Sequence, residues 1–150
     1  MNVLVLNMGM KSIRSIIFDE NGKKLSNASR TLTSAINETR VEQYLDEWWE
    51  KAIEVMKASI QDAKIQKVDY ITATTSASCL ACVDSDGNPL GNAIMVSDKR
   101  AMVEANKIKQ SMFYEDIKKD TGLEVSASLM LPKILWVKNH EPEMFEKTRY

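Results

Sequence analysis

Two cysteines stand three residues apart, Cys79 and Cys82 in the string C-L-A-C, with the spacing of a redox pair or of half a zinc site. A zinc site needs about four ligands, and the only histidine, His140, lies far along the chain without a second cysteine pair. A redox pair usually sits at a helix N-terminus, whereas the residues around these cysteines have the pattern of a strand. We therefore interpret both cysteines as structural and predict no direct metal ligand.

A second group of polar residues surrounds a glycine near the N-terminus, in V-L-N-M-G-M-K-S-I-R. Two apolar runs, residues 3–7 and 12–18, flank it and predict a β-hairpin. A tight turn can present backbone N–H groups and the hydroxyl of Ser12 to a phosphate, with Gly9 allowing close approach and Arg14 nearby. The same pattern fits an ordinary hairpin turn.

Composition excludes several classes of partner. The 150 residues are 44% hydrophobic and 27% charged, enough for one domain with a buried core. The 20 Lys and Arg residues nearly balance the 21 Asp and Glu residues, and the net charge is -1. This balance does not indicate binding to nucleic acid or to an anionic membrane. No apolar run spans a bilayer, and the start of the chain lacks the basic region of a signal peptide. We expect a cytoplasmic protein with neither partner.

The elements that would position these residues follow from hydrophobic periodicity. The turn at Asn21-Gly22 leads into a third antiparallel strand over residues 24–33. A helix follows, with apolar residues at three- and four-residue spacing that predict a core-facing stripe. The stripe comprises Val41, Tyr44, Leu45, Trp48, Ala52, Ile53, Met56 and Ile60. We assign Trp48 to the core rather than to a ligand platform.

The second half continues with β-branched residues 68–75, which predict a strand, and with helical patterns. Residues 79–83 and 93–96 flank a turn at residues 84–89 and predict a second hairpin. The helical patterns cover residues 101–110, 113–119 and 131–139, with Gly122 at a break. This order is typical of an α/β fold on a mixed sheet. We predict that strand 3–7 is central, antiparallel to 12–18 and parallel to 68–75.

Four segments, in order between Val3 and Tyr150, resemble the FGGY family of carbohydrate kinases. The first, V-L-N-M-G-M-K-S-I-R-S-I-I-F-D-E-N-G, is similar to the first phosphate loop of the family, which Gly9, Ser12 and Arg14 match. Asn7 stands where the family has an Asp that orients magnesium through water, and Met10 where it has a phosphate-binding Thr. Since an amide oxygen carries no charge, we expect weaker catalysis.

The other three segments carry the resemblance along the chain. The second, V-E-Q-Y-L-D-E-W-W-E-K-A, resembles the head of the first helix, with Leu45 replacing a proline. The third is similar to the sugar-contacting strand and the hairpin after it, although Thr75 and Ser76 replace the Gly and Gln of the family. Its matches are Asp84, Asp86, Gly87, Pro89, Ala93, Ile94, Asp98 and Arg100. The fourth, L-M-L-P-K-I-L-W-V-K-N-H-E-P-E-M-F, is close to a helix signature in which Pro142 ends the helix.

The resemblance implies a ribonuclease H-like N-terminal domain, as in actin and the sugar kinases, incomplete in residues 1–150 and without the nucleotide-binding domain. It also implies phosphorylation of a sugar or polyol with ATP and Mg2+, the general base lying outside this chain. Asn7, Gly9, Ser12 and Arg14 would then face the phosphates and the metal. The substrate-binding candidates are Ala77, Ser78, Asp98 and Arg100, of which the last two fit a structural ion pair equally well.

A non-catalytic kinase remnant or fragment that acts as a binding module is the alternative from another class. Asn7 and Met10 favour it, whereas Gly9, Ser12 and Arg14 favour retained phosphate binding. In the ribonuclease H-like order, the strand that would pair outside residues 68–75 lies beyond Tyr150. We therefore expect an exposed edge, a homo-oligomer formed through it, and no sugar phosphorylation by these residues alone.

Overall fold

The computed structural model describes all 150 residues, Met1–Tyr150. The strands are β1 (Asn2–Met8), β2 (Ser12–Asp19), β3 (Lys24–Thr31), β4 (Ser34–Asn37), β5 (Arg40–Gln43), β6 (Tyr70–Thr75) and β7 (Ala93–Ile94). The helices are α1 (Leu45–Ala63), α2 (Met102–Lys109), α3 (Tyr114–Thr121), α4 (Met130–His140) and α5 (Pro142–Lys147). They form two compact units: unit 1 comprises Met1–Thr33 and Tyr44–Ser76, and unit 2 comprises Ser34–Gln43 and Ala77–Tyr150.

Unit 1 is a four-stranded mixed sheet with the order β3-β2-β1-β6. β1 runs antiparallel to β2 and parallel to β6, so the predicted central position of residues 3–7 and both predicted pairings are confirmed. The turn before β3 is also as predicted: Gly22 has a φ of 75° and its N–H donates to the Asp19 carbonyl at 3.1 Å. β6 lies at the edge of the sheet, and all six of its residues are exposed.

Helix α1 covers one face of this sheet. Its Ala52 and Val55 pack with Ile13 and Leu32 in the core of unit 1, because alternate residues of β1 and β2 point to the same side. Trp48 packs half-buried against this core.

The helical stripe predicted from Val41 onward is wrong at its beginning. The helix begins at Leu45, Tyr44 is its N-cap, and Val41 lies in β5 opposite Ile36 of β4. The apolar spacing of Val41 fits a helix, but its backbone pairs with a neighbouring strand. Pairing of this kind depends on partners elsewhere in the chain, which periodicity does not report.

Unit 2 contains the three-stranded sheet β4-β5-β7 and the helices α2 to α5. The predicted second hairpin is present only as isolated bridges: Leu80 and Ile94 exchange backbone hydrogen bonds of 2.9 and 2.8 Å, and Val83 pairs with Pro89. The regular strand β7 pairs instead with β5. No helix in either unit combines the length and the apolar character needed to cross a membrane.

The helices of unit 2 follow the predicted pattern to within one or two residues, with Gly122 ending α3 at a φ of 68°. α5 was not predicted, because we took Pro142 only as a stop. α4 does end at His140, but Pro142 then begins α5, since proline suits the first position of a helix. Trp136 and Val137 of α4 pack with Cys82, Ile94 and Ala101 in the core of this unit.

Candidate functional site

The glycine turn joins β1 to β2 in unit 1. The N–H of Gly9 donates to the carbonyl oxygen of Ser12 at 3.0 Å, which closes the turn. A Cβ atom at position 9 would lie 3.1 Å from that same oxygen, closer than nine in ten Cβ contacts. Glycine therefore allows the close approach of the two chain segments, whereas a side chain would require a shift of a few tenths of an ångström.

Three of the predicted phosphate-loop residues share one face of the sheet. Asn7 and Arg14 are directly opposite each other in the β1–β2 ladder. Because Met8 and Ile13 pack towards α1, the alternation of side chains directs Asn7, Ser12 and Arg14 to the other face. Arg14 is exposed, and its Nε donates to Ser12 Oγ at 3.3 Å. This face therefore carries an amide, a hydroxyl and a guanidinium within one hairpin.

The parallel strand β6 brings further hydroxyl groups to the same edge. Asn7 is in register with Thr74 and Met8 with Thr75, and the N–H of Ser76 donates to the Met8 carbonyl at 3.1 Å. Ligands of open α/β sheets bind outside the carboxyl ends of parallel strands, which is where these residues lie. Sequence reasoning missed Thr74 as a neighbour of Asn7, although the run T-A-T-T-S at the end of a predicted strand contained it.

The donor set on this hairpin suits a metal held through water. No group of three or more His, Cys, Asp or Glu residues anywhere in the chain could hold a metal ion directly. The amide oxygen of Asn7 can accept from a metal-bound water, and Mg2+ usually keeps several of its waters. The side chains of this hairpin thus fit contact with a metal-bound water rather than direct ligation of a metal.

In unit 2, the predicted sugar-contacting residues follow directly after β6. Ala77 is exposed, whereas Ser78 is half-buried and has a φ of 63°. A serine in this left-handed region is uncommon, because its Cβ crowds the backbone. The carbonyl oxygen of Ser78 accepts a hydrogen bond of 2.5 Å from Nζ of Lys133, a residue that sequence reasoning treated only as part of a helix signature.

Asp98 and Arg100 form an ion pair in unit 2. Asp98 is fully buried and only 6% of the Arg100 side chain is exposed. Asp98 Oδ2 also accepts from the Val41 N–H at 2.7 Å, and Arg100 Nη2 donates to Glu42 Oε1 at 2.6 Å. Asn92 completes this network by donating to the other oxygen of Glu42 at 2.9 Å. The pair joins the loop after β7 to strand β5.

Hydrogen bonds and opposite charges favour the ionised forms of Asp98, Glu42 and Arg100. Burial alone would raise the pKa of Asp98, but hydrogen bonds from the Arg100 guanidinium and the Val41 N–H outweigh it and hold this pKa below its usual 3.8. Burial likewise opposes the lowered pKa of Glu42, which Asn92 and Arg100 stabilise as a carboxylate. The two carboxylates in turn raise the pKa of Arg100 despite its burial.

A cavity of about 180 Å³ adjoins this network. Its lining includes Glu42, Asn92, Arg100 and the indole of Trp136. The Arg100 guanidinium lies 5.0 Å from the centre of the Trp136 ring, close enough for a cation–π contact. Of the two predicted polar residues, Arg100 therefore lines this cavity, whereas Asp98 is not part of its lining.

The two cysteines have different surroundings. Cys82 is buried in the apolar core beside Trp136, and Cys79 is half-buried. Both are free thiols, and both line an apolar cavity of about 310 Å³ together with Ile134 of α4.

Comparison with known proteins places these features in context. The model of the N-terminal domain of the FGGY family of carbohydrate kinases matches residues 2–150. Xylulose kinase of Bacillus subtilis (strain 168) is 28% identical over an alignment of 149 residues that covers 97% of this chain and 30% of that protein. Glycerol kinase 2 of Thermotoga maritima is 31% identical over an alignment of the same length and coverage.

The same fold occurs in solved structures. A crystal structure of xylulose kinase from Rhodospirillum rubrum has a TM-score of 0.91 at 24% identity, over 99% of this chain and 31% of that one. This likeness confirms the predicted α/β fold on a mixed sheet. The chain spans about 30% of the length of the curated relatives it matches.

Proposed function

Because the chain belongs to the FGGY family of carbohydrate kinases, we propose that it forms part of an enzyme that transfers the γ-phosphoryl group of ATP to a hydroxyl of a sugar or polyol. The observation that carries this proposal is the hairpin of unit 1, where Asn7, Ser12 and Arg14 share one face at the carboxyl end of β1. Phosphoryl transfer depends on positioning and charge stabilisation, and this hairpin offers groups for both.

In this proposal, the Ser12 hydroxyl and the Arg14 guanidinium donate to phosphate oxygens, and Gly9 lets the turn approach them. The Asn7 amide oxygen would contact a metal-bound water. Magnesium, when bound, neutralises the charge of the phosphates. Because ATP is the phosphoryl donor, we place the reaction in the cytoplasm.

Unit 2 would supply part of the sugar pocket. Ala77 and Ser78 are proposed to face sugar hydroxyls, and the Ser78 hydroxyl can both donate and accept. For Asp98 we propose a supporting role, because Arg100 and the Val41 N–H already occupy both of its oxygens. Arg100 lines a cavity and is proposed as the polar member of the pair near substrate.

Catalysis would require the remaining length of the kinase. A general base must lie within hydrogen-bond reach of the attacking hydroxyl, and we assign no residue of this chain to that role. We propose that the base and the nucleotide-binding domain belong to the part of a full-length kinase that this chain does not include.

A non-catalytic binding module is the second candidate. Asn7 lacks the charge of a carboxylate, and the thioether of Met10 cannot donate a hydrogen bond to phosphate. All six residues of β6 are exposed along the sheet edge, which favours a role in pairing with another chain.

Phosphate binding by the hairpin separates the two candidates. Inorganic phosphate and ADP would be titrated into the 15N-labelled chain, and we expect the largest amide shifts at residues 7–14. Arg14→Gln should weaken binding about tenfold or more, as expected for a hydrogen bond to a charged group. Arg30→Gln is the matched control, because Arg30 lies on the same sheet with 42% of its side chain exposed but pairs with Glu54.

Two results would contradict a phosphate site on the hairpin. Amide shifts spread evenly over the chain, or an equal loss of affinity in Arg14→Gln and Arg30→Gln, would indicate a general effect of ionic strength rather than binding at one site. The binding-module candidate would then be favoured.

A further inference from the structure

One lysine of unit 2 is fully buried, and the proposed phosphate site does not account for its position. Lys133 of α4 is fully buried, and its Nζ donates to the carbonyl oxygens of Ser78 at 2.5 Å and Ser128 at 3.1 Å. Both acceptors are main-chain carbonyls rather than carboxylates. Burial lowers the pKa of the Lys133 amine, and the nearby Cys79 and Asp98 oppose this only in part. Since burying an ammonium is costly, its presence calls for a specific role.

The two carbonyls belong to segments far apart in sequence. Ser78 follows β6, whereas Ser128 lies in a turn before α4 that is closed by the Leu129 N–H donating to the Ser126 carbonyl at 3.0 Å. One nitrogen atom thus joins both segments to α4. Lysine suits this position because its long stem can be buried while its head offers several donors and no acceptor.

The contact at Ser78 falls on a residue in an unusual conformation. Its φ of 63° lies in the left-handed region, which residues with a Cβ rarely adopt. Such a conformation persists only where surrounding contacts hold it, and the bond from Lys133 is made to the carbonyl of this very residue.

We propose that Lys133 is a positioning residue that holds Ser78 in its left-handed conformation and ties it to the turn at Ser128, so that the sugar-facing segment is ordered before substrate binds. The part that concerns sugar rests on the proposed function, in which Ala77 and Ser78 face sugar hydroxyls. A segment ordered in advance loses less conformational freedom on binding, which increases affinity.

The first test compares Lys133→Met with Lys138→Met, an exposed lysine on the same helix. Lys133→Met should speed amide hydrogen exchange at residues 76–80 and 126–129 about tenfold or more, because local opening becomes easier. The 13C shifts of Ser78 should move away from left-handed values. Lys138→Met should change neither. Unchanged exchange and shifts in Lys133→Met would overturn the proposal.

A second substitution distinguishes positioning from general packing. Glycine adopts a φ near 63° without a Cβ penalty, so Ser78→Gly should suppress the faster exchange at residues 76–80 in the double variant with Lys133→Met. If Lys133 merely fills the core, the double variant will exchange as fast as Lys133→Met alone, and the positioning role is wrong.

The wild-type chain provides a test that does not depend on a folded variant. The Nζ protons of Lys133 should be protected from solvent and show nuclear Overhauser contacts to Ser78 and Ser128. Their absence would overturn the proposal even if Lys133→Met fails to fold.

The sugar-dependent part is measured by titrating xylulose and glycerol and following Ala77 and Ser78. Lys133→Met should weaken the affinity obtained from these shifts at least about tenfold, equal to about 1.4 kcal/mol, and Lys138→Met should not. Equal affinity in Lys133→Met and wild type would overturn the link to substrate. If wild type binds neither sugar, the proposed pocket fails and so does that link, while exchange and the double variant still decide the contact with Ser78.

Discussion

The guanidinium of Arg100 meets both oxygens of the Asp98 carboxylate, with Nε 3.0 Å from Oδ1 and Nη2 2.8 Å from Oδ2. Asp98 also accepts the backbone N–H of Val41, so this pair connects the loop after β7 to strand β5. Because the carboxylate is fully buried, its charge is tolerated only with these partners in place.

We expect Asp98→Asn to destabilise unit 2 by about 3–5 kcal/mol at pH 7, the usual effect of removing one partner of a buried ion pair. The free energy of unfolding would be measured by urea titration, followed through NMR signals of unit 2. Asp86→Asn, at an exposed position in the turn of residues 84–89, should change it by less than about 0.5 kcal/mol.

The effect of Asp98 should also depend on pH in a defined direction. Its pKa is lower in the folded protein than the usual 3.8, so its stabilising contribution is present above that value and is lost as the pH falls through the lower folded pKa. The stability difference between wild type and Asp98→Asn should therefore narrow only below about pH 4. A difference that stays constant from pH 7 to pH 3 would contradict the assigned charge state.

A carboxylate introduced at position 7 should strengthen the magnesium-dependent binding of ADP. Asn7→Asp should raise the affinity for ADP with Mg2+ at least about tenfold, because a charge near a divalent ion at about 4 Å is worth up to about 4 kcal/mol at an effective dielectric of 20. Calorimetry with and without EDTA provides the measurement. Asn27→Asp on β3 is the control, and a gain that survives EDTA would show that the metal is not involved.

Self-association through the edge strand β6 is expected in solution. Light scattering should give a mass that rises with concentration, because β6 exposes unpaired backbone groups and the side chains of Tyr70 and Ile71, which are 63% and 65% exposed. Ile71→Lys should reduce this rise, whereas Ile36→Lys, at a 73% exposed position on β4, should not. A wild-type chain that is monomeric at every concentration would refute the prediction.

The chain on its own should phosphorylate no sugar. Phosphoryl transfer depends on positioning groups and on a general base, and we assign no residue of this chain to the role of base, so a coupled assay with ATP, Mg2+ and pentoses, hexoses or polyols should give only background rates. Turnover that disappears when magnesium is removed would show that these residues contain a complete catalytic site.

Sequence alone determined the parts of the fold that depend on neighbouring residues. The apolar runs around Gly9 and the Asn21-Gly22 turn predicted the β1–β2–β3 arrangement, and the β-branched run at residues 68–75 predicted a strand. The parallel pairing of that strand with β1 was predicted from the order of the elements. A tight hairpin brings residues a few positions apart together, which explains the contact between Ser12 and Arg14, while their role at a phosphate stays a prediction.

Tertiary structure decided the rest. Val41 has apolar spacing that fits a helix, yet it lies in β5, where its N–H bonds to Asp98, 57 residues away. Lys133 carries no sign in the sequence that it reaches Ser78, 55 residues earlier. Local periodicity records which face of an element is apolar, but the choice of a distant partner depends on how the whole chain packs, since a buried charge or N–H is satisfied by whatever acceptor the fold brings within reach.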